Sequence, residues 1–468
     1  MQEAIQQPTS TLEAADPVVA AALRAEAWAG EPFVREGEDP SQALGEGTAR
    51  RRALDEAVAE MDAGRTAPSS QWKVRYGLLL GLERVLAEPE PHTAAGTALR
   101  RHQVDALAGM LTELIAASQR YDEPNGNGNG QTATAEELEQ QQVEDEDEDS
   151  TLVVEIEDAE LPEEPEQDDP GAIRRYRFRH PTASGKTIAA AGFVEAARTL
   201  GVLILTHRRL LVSQFTRDLT TEGYGKRLTD VITRDSRSAK RAPLTIQTYA
   251  WFARHVEEID RDAYQLVICD EAHTALGEKT SAAIRSFPEP LYIGMTATEQ
   301  LIAKQVSDVF PASVDDLPLQ DAARRGLIAP LRDLRVPPVA AINSVPIVGG
   351  DFDQEILAKT LDHQALNQAA ASLYRDRFDN TPGIVYAAGV EHAYNLAQEF
   401  RAAGLKAEAV SGRTPPVRLA ETLASYERGE INVLINAQLL AEGWNSPRAT
   451  VCMHLAPTAS RRVYQQRV

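Results

Sequence analysis

Two short stretches of this chain hold residue types that, at their spacing, could act on a phosphoanhydride. The first is HPTASGKT at 180–187, which follows a strand-like run, RRYRF, and opens a helical one. In that setting successive backbone N–H groups and the helix N-terminus point at a single anion. Gly185 would let the backbone approach phosphates, with Thr182, Ala183 and Ser184 completing the cradle. Lys186 supplies a cation for the β- and γ-phosphates, and the Thr187 hydroxyl is suited to Mg2+. His180 stands at the first position, where glycine is usual, and Ala183 where a second glycine is common. The second stretch is YQLVICDEAH at 264–273, an apolar run ending in two adjacent carboxylates. A strand tip of this kind can present Asp270 to a metal ion and Glu271 to an attacking water. A helix-capping acid after a strand would explain one carboxylate, but not both. Together the stretches predict hydrolysis of ATP·Mg2+, with Lys186, Asp270 and Glu271 as catalytic residues and Thr187 and Asp270 as metal ligands.

Such residues need a rigid sheet edge, and the pattern after Gly171 provides one. Strand-like runs IRRYRF, GVLILT, LTIQTY, YQLVICD and EPLYIGMT alternate with helical segments such as TIAAAGFVEAARTL. After an interval with Pro330, Pro337, Pro338, Pro346 and the Gly349-Gly350 pair, GIVYAA, INVLIN and TVCMHL repeat the alternation. Strands alternating with helices of this length imply parallel sheets covered on both faces. The reading is an α/β protein with two lobes, at 171–330 and 380–468, joined by an irregular linker at 331–379. Ahead of them, 1–95 is Ala-, Glu- and Arg-rich with apolar residues three and four apart, a helical region in which Trp28 and Trp72 are packing residues. A further helix falls in 96–120.

Composition narrows the classes further. The chain has 468 residues and a formal net charge of -22, 43% hydrophobic and 25% charged residues. No apolar run approaches the roughly 18 residues that a bilayer span requires, which argues against a membrane partner. The two cysteines, Cys269 and Cys452, sit in apolar runs and support neither a disulfide framework nor a zinc quartet. The charge is local: the stretch 121–170 contains 20 carboxylates and no Lys or Arg, so the rest of the chain is nearly neutral. An acidic segment with so little apolar surface is expected to be disordered, either as a spacer or as a mimic of nucleic acid. The folded parts are therefore free to meet a polyanion.

The order of the motifs over about 99–468 resembles the superfamily 2 helicases of the DEAH-lettered type, and within them bacterial proteins related to the res subunit of type III restriction enzymes. The resemblance implies two RecA-like parallel-sheet lobes. It also implies roles for particular residues. Gln103, in LRRHQVDAL, would read adenine. Arg208, in LILTHRRLLVSQF, and Thr248, in TIQTY, would lie on the nucleic-acid track. Thr296 and Thr298, in MTAT, with His273 of DEAH, would couple hydrolysis to lobe movement. Gly443, in LINAQLLAEGWNSP, would face the nucleotide. The implied ligands are ATP, Mg2+ and a nucleic acid, with DNA favoured over RNA. Restriction, defence or repair subunits are the implied partners, and the cytoplasm the implied location. Two departures stand out. Asn445 replaces an aspartate usual in the family, and SRRVYQQRV stops at Val468, where the family's sixth motif would continue toward an arginine finger. Arg467 belongs to the start of that motif, so the second lobe is expected to be truncated at its C-terminus. The resemblance implies an ATP-dependent helicase or translocase. The alternatives are a restriction or defence motor that moves on DNA without unwinding it, and a non-catalytic nucleotide-dependent scaffold.

Overall fold

The computed structural model describes residues 17–120, 169, 171–181, 184–236, 242–297, 303–328, 332, 334, 342, 344–348, 351–437, 439–440, 446 and 448–458. The acidic segment, apart from Asp169, lies outside the described residues, as do Thr182, Ala183, Thr298, Gly443 and Asn445.

Six parallel strands form the first sheet: β1 (Arg175–Arg179), β2 (Val202–Thr206), β3 (Leu244–Thr248), β4 (Leu266–Asp270), β5 (Leu291–Thr296) and β6 (Ala312–Asp316). Their order is β3-β2-β4-β5-β1-β6. β2 and β4 are central and fully buried, which explains their unbroken apolar sequences. β1 instead alternates. Tyr176 and Phe178 enter the core, while Arg177 donates to the Pro311 carbonyl at 2.9 Å and Arg179 pairs bidentately with Asp316 at 2.6 and 2.7 Å. β6 was not evident in the sequence because ASVDD at an exposed edge carries few apolar residues.

The N-terminal region is helical, with helices Pro17–Ala29, Ala49–Asp62 and Leu78–Leu86. Thr48 caps the second, its hydroxyl accepting from the Arg51 N–H at 3.1 Å. Trp28 and Trp72 meet edge to face at 5.3 Å inside this region. Its core is continuous with that of the first sheet, so the region is a fixed layer of lobe 1. The two pack tightly at Gly81, where a Cβ would stand 1.8 Å from the Ala196 carbonyl oxygen of helix Lys186–Ala196. That helix reads KTIAAAGFVEA, and its small residues let it be buried between the sheet and the N-terminal layer.

The second lobe holds β9 (Gly383–Tyr386), β10 (Ala407–Val410), β11 (Val433–Asn436) and β12 (Val451–His454), all parallel in the order β10-β11-β9-β12. The segment 331–379, expected to be irregular, contains a hairpin of β7 (Ile347–Val348) and β8 (Asp351–Phe352) and two helices, Gln354–Leu361 and Gln364–Phe378. The second helix belongs to lobe 2. Ala370, Ala371 and Tyr374 share a core with Val385, Leu396 and Ile435. Its apolar residues Leu366, Ala370, Tyr374 and Phe378 recur every fourth position, a helical signal masked by the polar residues between them. Among the described residues no helix is long and apolar enough to cross a membrane.

Candidate active site

The sheet order places β5 between β1 and β4, so the turn leaving β1 and the carboxylates ending β4 emerge at the same carboxyl edge, one strand apart. Gly185 has φ +89°, a left-handed conformation natural to glycine, and its turn delivers Lys186 to the first position of the helix. The Lys186 ammonium donates to Glu271 Oε1 at 2.6 Å, and each side chain is 11% exposed. Glu271 itself has φ +46°, a strained conformation for a side-chain-bearing residue, which turns the chain sharply after β4. Asp270 is buried at the strand tip, and the Tyr249 hydroxyl donates to its backbone carbonyl at 2.8 Å.

The two acids are driven in opposite directions. Burial, followed by the neighbouring Glu271 carboxylate, pushes Asp270 above the ordinary carboxylate range. Burial also works to raise Glu271, but the Lys186 ammonium, His273 and the bond from Lys186 outweigh it and hold Glu271 below that range. His273 lies within 3.5 Å of Glu271 Oε2 and 3.4 Å of the Thr296 hydroxyl, so DEAH and the end of β5 touch inside lobe 1. Both contacts lie within lobe 1, beside the acids whose action His273 was expected to couple to lobe movement. A buried acid held toward its neutral form is a site that a divalent cation would relieve, and the half-buried Thr187 hydroxyl lies one residue beyond Lys186. This donor set fits a magnesium-bound phosphate.

Other expected residues have roles that the spacing did not disclose. Gln103 is buried, its Oε1 accepting from the Arg100 N–H at 2.8 Å and its Nε2 donating to the Gly185 carbonyl at 3.0 Å. His102 beside it lies 2.8 Å from the Ser184 carbonyl. Both side chains thus hold the Ser184–Gly185 turn by its carbonyls. The Ser184 hydroxyl donates to the Pro181 carbonyl at 2.7 Å and so shapes the turn itself. His180, in place of the usual glycine, is fully buried and bonds Asp315 of β6 at 2.6 Å, while its N–H donates to the Thr296 carbonyl at 3.0 Å. The Thr248 hydroxyl accepts from the Trp251 N–H at 3.2 Å as a helix cap. Arg208, expected beside a nucleic-acid strand, donates to the Leu439 carbonyl of lobe 2 at 2.9 Å. His102, His207, Tyr249 and Asp315 were not singled out by sequence. His207 follows β2, the strand beside β4, and so leaves the sheet next to Asp270 and Glu271.

The family model for the res subunit of type III restriction enzymes matches residues 98–301, and the model for the helicase conserved C-terminal domain matches 365–468. These two intervals hold the turn, the DEAH strand and the second sheet in the observed order. The chain belongs to the superfamily 2 helicases. Its two parallel sheets are the two RecA-like lobes of that superfamily. This superfamily 2 chain is 23% identical over 292 residues to a 51.5 kDa protein of a Lactococcus phage, covering 62% of this chain and 60% of the phage protein. It is 20% identical over 309 residues to IRC3 of Saccharomyces cerevisiae, a candidate ATP-dependent helicase, covering 61% and 44%. The superfamily 2 chain therefore spans less than two thirds of either curated relative. A solved structure of Saccharomyces cerevisiae Dbp5 bound to RNA and ADP BeF3 aligns with 14% identity and a TM-score of 0.44, over 63% of this chain and 75% of that one.

Proposed function

We propose that this chain is an ATP-dependent helicase or translocase that hydrolyses ATP between its lobes to move along a nucleic acid. The observation that carries the reading is the 2.6 Å contact of Lys186 with Glu271. Two segments about 85 positions apart in sequence converge on one buried spot, a lysine that suits the phosphates beside an acid that suits the attacking water. Lys186 and the N–H groups around Gly185 would hold the phosphates, and Thr187 and Asp270 would hold Mg2+, which would neutralise charge on the phosphate oxygens. Glu271 orients the water and accepts its proton once Lys186 has moved to the phosphates. His273 and Thr296 touch that same carboxylate's surroundings and carry the change toward the edge of the lobe, a role that Thr298 would share, while Gly443 would face the nucleotide. The match to a restriction res subunit supports DNA over RNA as the track, and supports restriction, defence or repair proteins as partners.

Steady-state ATP turnover by the full chain, with and without single-stranded and duplex DNA, tests the reading. Turnover stimulated by DNA and abolished by Lys186→Ala is expected. Turnover absent under every condition, with folding intact, would leave the scaffold alternative. A second reading is a restriction or defence motor that moves on DNA without separating its strands. A triplex-displacement signal without strand displacement would select that version.

A further inference from the structure

The phosphate-binding turn and the DEAH acids lie wholly in lobe 1, so something must set how far lobe 2 stands from them. Leu205 of β2 pairs with Cys269 of β4, so Thr206 lies level with Asp270, and His207 and Arg208 leave the sheet beside the acids. Half-buried there, Arg208 extends from the start of helix Arg209–Leu219 and donates through Nη1 to the Leu439 carbonyl at 2.9 Å. The receiving turn is itself anchored. The Leu440 N–H donates to Asn436 Oδ1 at 3.1 Å, the Tyr386 hydroxyl donates to the Leu440 carbonyl at 3.2 Å, and Leu440, Asn436 and Tyr386 are buried in lobe 2. A guanidinium fixed at one sheet edge therefore grips a rigid feature of the other lobe.

We propose that Arg208 is an interlobe tether, a positioning residue that fixes the spacing of the cleft through the Leu439 carbonyl. A charged hydrogen bond of this kind, partly open to water, changes a two-state ratio on the order of ten-fold. If the nucleic-acid reading above holds, a phosphate on the same face competes for the guanidinium, because an anion binds it more strongly than a neutral carbonyl. Nucleic acid would then release lobe 2 from this spacing.

The test is single-molecule energy transfer in the full chain, labelled at the exposed positions Lys279→Cys and Glu421→Cys in a Cys452→Ser background. Without nucleic acid, Arg208→Ala should lower the ratio of narrow to wide species on the order of ten-fold, with Arg208→Lys intermediate and the melting midpoint unchanged. An Arg208→Ala distribution superimposable on that of the parent overturns the tether. Adding a 20-nucleotide oligo(dT) to the parent should move its distribution in the direction that Arg208→Ala does. If the oligonucleotide binds by anisotropy and the distribution stays put, the competition is wrong and the tether stands. If it does not bind at all, the nucleic-acid reading fails while the first comparison still decides the tether.

Discussion

Glu271→Gln separates binding from turnover in a way that depends on the geometry of the Lys186 contact. In this structure the ammonium is committed to Glu271 at 2.6 Å, with both side chains 11% exposed. A triphosphate must draw Lys186 away, and that cost is subtracted from its affinity. Charge-assisted hydrogen bonds contribute about 1.5–3 kcal/mol; one between two ionised partners lies toward the top of that range, and one from the same ammonium to a neutral amide toward the bottom. Gln keeps the acceptor and loses the charge, so the lysine is released about 1–2 kcal/mol more cheaply, which is about 5- to 30-fold in nucleotide affinity. Asp270 moderates the gain. Its carboxyl is raised by burial and then by the Glu271 charge, so removing that charge lets Asp270 ionise and attract the same ammonium. The expected result lies toward 5-fold. Turnover should fall by at least about 100-fold, the usual contribution of a general base. Affinity is read by titration with a fluorescent ATP analogue and Mg2+, and turnover by phosphate release. Weaker binding by Glu271→Gln than by the parent would refute the competition for Lys186. Retained turnover would refute Glu271 as the base.

Three further outcomes follow from particular contacts. Lys186→Ala leaves Glu271 without its cation and the phosphates without theirs, so ATP binding should be lost in the same titration, at least 100-fold weaker. Gly81→Ala sets a methyl 1.8 Å from the Ala196 carbonyl oxygen, where both partners are backbone and must separate. Overpacking of this kind costs about 1–3 kcal/mol, and because Ala196 ends the helix that Lys186 begins, a lowered melting midpoint should be accompanied by weaker nucleotide binding. An unchanged midpoint contradicts the tight helix contact. His392 is buried, its Nδ1 accepting from the Ala388 N–H at 3.2 Å, and burial pushes its imidazole below the ordinary value of 6.5. The unfolded chain takes up the proton first, so this contribution to stability is complete above pH 6.5 and is lost as pH falls. The melting midpoint of the parent should exceed that of His392→Gln at pH 7.5, with the gap narrowing by pH 5.5; a constant gap would show that His392 does not titrate differently on unfolding.

How much of this was legible in advance differs between the strands and the site. Runs such as LVICD and VLILT announce buried parallel strands, because a strand covered on both faces has no polar side to interrupt it. The glycine, lysine and paired acids announce phosphate chemistry, because few other residues can supply a close backbone approach, a cation and a metal ligand together. The edge strands ASVDD and AEAV were silent, being partly exposed and weakly apolar. Helix Gln364–Phe378 lay in a stretch whose prolines and glycines suggested a linker.

What the chain order determined by itself was therefore the kind of scaffold and a set of residue types suited to phosphate chemistry. Only the tertiary structure decided which side chains share a bond. It brought Lys186 against Glu271, set His102 and Gln103 on the carbonyls of Ser184 and Gly185, and carried Arg208 to Leu439. Strand order lies behind each of these. A parallel sheet places at one edge the ends of strands that are remote in sequence, and residue spacing along a chain holds no record of which ends those will be.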